Sequence, residues 1–98
     1  MAGSEITLRE GAAMTASFRQ SHPNLTKALY FSRDVYEAIL EQDDCEGIRI
    51  YNAINENGVL THVLVGVDKF GNDLLPGKVY DYAIPSPPAT PLSNPLNS

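Results

Sequence analysis

Arg49, Tyr51 and His62 are the side chains best suited to chemistry, and they fall in a stretch that reads as two adjacent strands. Residues two apart on a strand share a face. Arg49 and Tyr51 therefore point the same way, and a two-residue turn between the strands would bring His62 beside them. A guanidinium, a phenol and an imidazole on one surface could hold an anionic ligand or move a proton. No carboxylate or nucleophile is placed to complete a triad, and Ala53, Leu60, Leu64 and Gly66 make the rest of that face apolar. The expectation is a sheet face covered by another surface, with Arg49, Tyr51, Leu60, His62 and Leu64 as its contacts.

Cys45 lies between Asp44 and Glu46. A reactive thiol needs cationic surroundings, so Cys45 reads as an inert small residue. From Asp34 to Glu46 the chain holds six acids and no base. Glu37, Glu41, Asp43, Asp44 and Glu46 form an acidic patch that could dock a basic partner. Their spacing is not that of a calcium loop, which alternates oxygen ligands around a glycine. The segment Asp68-Lys69-Phe70-Gly71-Asn72-Asp73 has acids and a glycine, but it is short and reads as a turn. The seven glycines are dispersed and none belongs to a phosphate-binding motif. No catalytic, metal-binding or cofactor-binding residue is assigned, no cofactor is expected, and the balance leans away from an enzyme.

Composition narrows the field. A chain of 98 residues has room for one domain and one modest core. Without disulfides or metals such a chain is marginally stable, and self-association is a common way to bury more apolar surface. An apolar content of 43% with 19% charged residues suits a globular chain. The net charge of −5, with seven scattered basic residues, argues against a nucleic-acid partner. One cysteine excludes an intrachain disulfide and a cysteine-rich zinc site. No apolar stretch approaches the length of a membrane span. Met1-Ala2-Gly3-Ser4-Glu5 lacks the basic start and apolar run of a secretory leader. The expected setting is cytoplasmic, without a membrane partner.

The elements that would position these residues follow from local signals. Thr7-Leu8-Arg9-Glu10 has the form of a capping box, so a helix is expected from Leu8, ending at Ser21-His22-Pro23 because a residue before proline avoids the helical region. Lys27 to Phe31 reads as a short strand. Ser32 then starts a second helix, with Asp34 in its first turn and Phe31 and Tyr36 as a hydrophobic staple. The competing reading is one helix from about Leu25 to Gln42, since Leu25, Ala28, Leu29, Ser32, Val35, Tyr36, Ile39 and Leu40 share a helical face.

Ile48–Asn55 and Val59–Asp68 read as a hairpin with Asn57 and Gly58 as a two-residue turn. That turn sets Ile54 opposite Thr61, Asn52 opposite Val63, Ile50 opposite Val65 and Ile48 opposite Val67 on the core side. Leu75-Pro76-Gly77-Lys78 suggests a type II turn, and Val79–Ile84 a strand pairing back on the hairpin. Pro85 is expected to end regular structure. The division is thus a single domain over residues 1–84 and a proline-rich tail over 85–98, with two P-x-x-P segments that suit a polyproline conformation. Leu92 and Leu96 are its apolar anchors for a neighbouring subunit.

Phe31-Ser32-Arg33-Asp34, Gly47-Ile48-Arg49-Ile50-Tyr51 and Val63-Leu64-Val65-Gly66-Val67-Asp68 occur in an order that resembles a group of small uncharacterised bacterial proteins of about this length. The resemblance covers most of the chain before the tail and implies no activity, cofactor or site residue.

The fold expected is α+β, two helices packed on a small, mainly antiparallel sheet built around the hairpin. The expected core is Phe18, Leu29, Val35, Tyr36, Ile39, Leu40, Ile48, Ile50, Ile54, Val63, Val65 and Val67. The expected function is a non-enzymatic interaction or structural protein, a homo-oligomer or a subunit of a larger assembly, whose partner is another protein or itself. The alternatives are a small-ligand-binding or enzymatic domain using the Arg49, Tyr51 and His62 face, and a regulatory protein docking through its acids.

Overall fold

A computed structural model describes residues 2–81, 83–86 and 91–97. Helix α1 spans Leu8–Ser21, strand β1 Ala28–Tyr30, helix α2 Arg33–Leu40, strand β2 Gly47–Ile54, strand β3 Leu60–Val67, strand β4 Val79–Tyr80 and strand β5 Ile84–Ser86. The class is α+β, with one three-stranded sheet in the order β2-β3-β4 and a two-stranded sheet of β1 and β5, all antiparallel.

Both helix starts are where local chemistry sets them. The Thr7 hydroxyl accepts from the Glu10 amide at 3.0 Å, and the Glu10 carboxylate accepts from the Thr7 amide at 3.0 Å. Bonding to the Thr7 backbone and hydroxyl holds the Glu10 carboxyl below its ordinary value. Ser32 occupies the N-cap of α2 in an extended conformation, without a hydroxyl bond to the helix. The Phe31 and Tyr36 rings meet edge to face, 6.5 Å between centroids, which closes the expected staple. The strand-then-helix reading of residues 27–42 holds, and the single long helix does not.

Of the two helices, α2 rests on β2 and β3. The core is small. Among the described residues the buried apolar side chains are Phe31, Ile39, Leu64 and Val65. Val35, Cys45, Ile48, Tyr80 and Ala83 pack partly buried around Phe31, Ile39 and Leu64. Several expected core residues are instead exposed: Phe18, Tyr36, Leu40, Ile50 and Ile54. Phe31 and Leu64, absent from the expected core, are at its centre.

Helix α1 lies against the C-terminal segment. Arg19 donates to the Leu96 carbonyl at 2.6 Å, and Leu96 sits beside Gly11. Residues 94–97 form a turn in which the Asn94 side chain accepts from the Leu96 amide and the Asn97 side chain accepts from the Asn94 amide.

Two turn expectations and two strand bounds are corrected. Asn57 does not take positive φ. Gly58 alone does, at +76°, so the β2–β3 loop has three residues rather than two. Gly77 does not take positive φ, so the type II turn is not formed. Regular structure continues through Pro85 of β5, which pairs with Leu29 of β1, while β4 ends at Tyr80. A proline has no N–H to donate, so it fits the centre of this short edge strand only as the pair that exchanges no hydrogen bonds. The P-x-x-P segments run into residues 87–90, outside those described.

Candidate functional site

The three-residue loop decides where the chemical side chains go. The Asn55 amide bonds the Val59 carbonyl at 3.0 Å and closes the hairpin, with the Gly58 amide on the Asn55 carbonyl at 2.9 Å. This is a type I turn followed by a left-handed glycine. It pairs Ile54 with Leu60, Asn52 with His62, Ile50 with Leu64, Tyr51 with Val63 and Arg49 with Val65. The register is one residue away from that of a two-residue turn, and a slip of one exchanges the faces of β3 relative to β2.

The expected grouping of Arg49, Tyr51, Leu60, His62 and Leu64 is therefore corrected. Arg49 and Tyr51 share a face with Val63, Val65 and Val67. Leu60, His62 and Leu64 share the other with Ile48, Ile50 and Asn52. Leu64 is a core residue at 1% exposure, covered together with Ile39 and Phe31. Leu60 and His62 line an open groove of about 390 Å³ with Phe18 from α1 and the segment leading into β1. Thr26 donates to the Leu60 carbonyl there at 3.1 Å.

Arg49 and Tyr51 find a carboxylate that the sequence reading missed, Asp73. The chain turns back after β3 through Asp68–Asn72, and Asp73 bridges to Val67. Arg49 Nη1 donates to Asp73 Oδ1 and the Tyr51 hydroxyl to Asp73 Oδ2. Arg49 Nη2 also donates to the Gly71 carbonyl at 3.1 Å. The hydrogen bond from Tyr51, and then Arg49, hold the Asp73 carboxyl below its ordinary value against partial desolvation. Asp73 in turn pushes the Tyr51 phenol and the Arg49 guanidinium up. Asp73 could have been found by counting the antiparallel return past Gly71, which puts it beside Val67.

This cluster is a strap. Tyr51 is opposite Val63 and Asp73 opposite Val67. A side chain that starts at the first pair and ends at the second must cross the residue between them on that face, Val65. That crossing accounts for Val65 being 3% exposed on the face away from α2. Both carboxylate oxygens are occupied, the phenol proton is committed, and His62 lies on the opposite face. The cluster holds the end of the sheet together and leaves no free acid–base pair.

The remaining candidates are separate from it. Glu37, Glu41, Asp43, Asp44 and Glu46 are all exposed. Among the described residues no group of three or more His, Cys, Asp or Glu is arranged to hold a metal ion. Cys45 is half-buried against the core and its thiol points to the Gly47 carbonyl at 3.3 Å. Leu96 packs beside α1 of its own chain, whereas Leu92 is 91% exposed. No described helix is long and apolar enough to cross a membrane.

Comparison with protein-family models, with curated proteins and with solved structures finds no match.

Proposed function

We propose that this chain is a non-enzymatic interaction protein that works as a homo-oligomer and completes its apolar core by association. One observation carries the reading: the surface is too large for the mass. The chain exposes 7557 Å², against about 5,500 Å² for a folded monomer of this size. Its radius of gyration is 15.0 Å, where a compact chain of this length has about 13 Å. The excess is apolar in part, with Met14, Tyr30, Ile50, Ile54 and Phe70 all well exposed. Contiguous apolar surface marks interaction sites, and of these residues Ile50 and Ile54 share one face of β2.

The other readings have less behind them. A ligand site on Arg49 and Tyr51 would have to displace Asp73, which already satisfies both. The acidic surface of Glu37, Glu41, Asp43, Asp44 and Glu46 is exposed but offers a partner charge alone. A single free thiol, Cys45, suits a reducing compartment such as the cytoplasm.

Light scattering behind a sizing column tests the proposal. A discrete mass above one chain at micromolar concentration is expected. A sharp monomer peak across the concentration range would overturn it.

A further inference from the structure

We infer that two copies join through the free edge of β2, antiparallel, so that two three-stranded sheets become one of six strands; this rests on the oligomeric reading above. In the β2–β3 ladder the hydrogen-bonded pairs include Asn55 with Val59. Alternation then turns the backbone N–H and C=O groups of the odd-numbered residues Gly47 to Ala53 toward β3. Those of Ile48, Ile50, Asn52 and Ile54 point away from it, where the sheet order β2-β3-β4 has no further strand among the described residues. The result is an open edge spanning the 8 residues of β2.

Proteins usually protect such an edge with lysine, proline, a bulge or a cover, because unpaired backbone groups template pairing with another chain. Strand β2 contains no lysine or proline, and its one charged side chain, Arg49, is turned to Asp73. Ile50 and Ile54 stand 54% and 66% exposed. The occupant is a second copy because the edge is complementary to itself. A two-fold axis at Tyr51 sets Ile48 opposite Ile54, Ile50 opposite Asn52 and Arg49 opposite Ala53, each from one copy to the other. Every outward backbone group of these four residues then finds a partner, an apolar row continues across the join, and no like charges oppose. Two-fold pairing of one patch with itself is the commonest route to a dimer. The surface in excess, about 2,000 Å² per chain, covers the roughly 800 Å² per partner that a stable interface needs.

The test uses the full chain and two variants. Asn52→Pro removes an outward N–H and leaves the bonds of β2 to β3 untouched, so it should convert the dimer to a monomer. Tyr51→Cys in a Cys45→Ser background should oxidise to a covalent dimer, because residue 51 meets its own copy at a close pair. If Asn52→Pro keeps the wild-type oligomeric mass and Tyr51→Cys fails to cross-link, the edge is not the interface although the oligomeric reading stands. A monomeric wild type overturns both.

Discussion

Asn55 and Asp68 stand at opposite ends of β3 and head two loops of the same form. The Asn55 Oδ1 accepts from the amides of Asn57 and Val59, at 2.9 and 3.0 Å. The Asp68 Oδ1 accepts from those of Phe70 and Asn72, also at 2.9 and 3.0 Å. In both loops the fourth residue is a left-handed glycine, Gly58 at φ +76° and Gly71 at φ +84°. The side-chain oxygen does what a backbone carbonyl would do in the turn, and glycine supplies the one conformation that other residues resist. These loops fix the register of β3 on both sides. Asn55→Asp and Asp68→Asn keep the acceptor and should be nearly neutral. Asn55→Ala and Asp68→Ala should each cost about 1–2 kcal/mol, read as a lower urea midpoint at unchanged slope.

The strap over Val65 should make stability depend on pH at both ends of the scale. Asp73 has its carboxyl lowered in the fold, first by the Tyr51 hydroxyl and then by Arg49. A group lowered in the fold stabilises above its unfolded value and loses that contribution as pH falls through the folded one. Tyr51 is raised, chiefly by Asp73, so its contribution is complete below the unfolded value and is lost as pH rises past the folded one. The wild type should therefore melt above Asp73→Ala between about pH 4 and pH 10, and the gap should close outside that window. Tyr51→Phe should lose the alkaline limb and shrink the acid one, since its hydroxyl is the first cause of the Asp73 shift and Arg49 sustains only the remainder. Melting temperature against pH for the three proteins measures it. A gap of constant size from pH 2 to 8 would remove the carboxylate from the explanation.

The sequence made the local elements readable and left their assembly obscure. Thr7 with Glu10, and Phe31 with Tyr36, are contacts between neighbours, and composition suffices to place them. The hairpin itself was legible from Asn57-Gly58, but its register was not. That register depends on whether one or two residues turn left-handed, and the Asn55 side chain settles it by accepting from the amides of Asn57 and Val59. From that one residue follow the separation of His62 from Arg49 and the move of Leu64 into the core. Asp73 was hidden for another reason: it meets Arg49 and Tyr51 through β3, more than 20 residues away in the chain. The pairing of β1 with β5 is longer-range still, and Pro85 argued against a strand there.

Gly66 should be the least replaceable residue of β3. It is buried, and a Cβ built on it would lie 3.0 Å from Cys45 Sγ, 3.1 Å from Gln42 Nε2 and 3.2 Å from Leu74 Cδ1. Gly66→Ala should therefore cost about 1–3 kcal/mol through overpacking. The closest of those atoms is the sulfur, so Cys45→Ala should recover part of the loss when combined with it. Denaturant unfolding of the two single variants and the double closes the cycle. A double variant whose loss equals the sum of the singles would show that Cys45 is not what Gly66 accommodates.

Ile39 is fully buried between α2 and the sheet, the best-covered side chain of a very small core. Truncation to alanine costs about 2–5 kcal/mol in cores generally, a large part of what a chain of this length has in total. A protein that draws the rest of its stability from association responds in a characteristic way. Its melting point rises with its own concentration, because mass action favours the folded oligomer. For a dimer of two such chains the rise is about 3 °C for each tenfold in concentration. Ile39→Ala should keep that slope while melting lower, since Ile39 is a core residue of α2 and not one of the pairing residues of β2. Asn52→Pro should abolish the slope, since it removes the association. Scanning calorimetry or circular dichroism over two decades of concentration separates the two. A flat wild-type melting point would mean that Phe31, Ile39, Leu64 and Val65 hold the single chain together unaided.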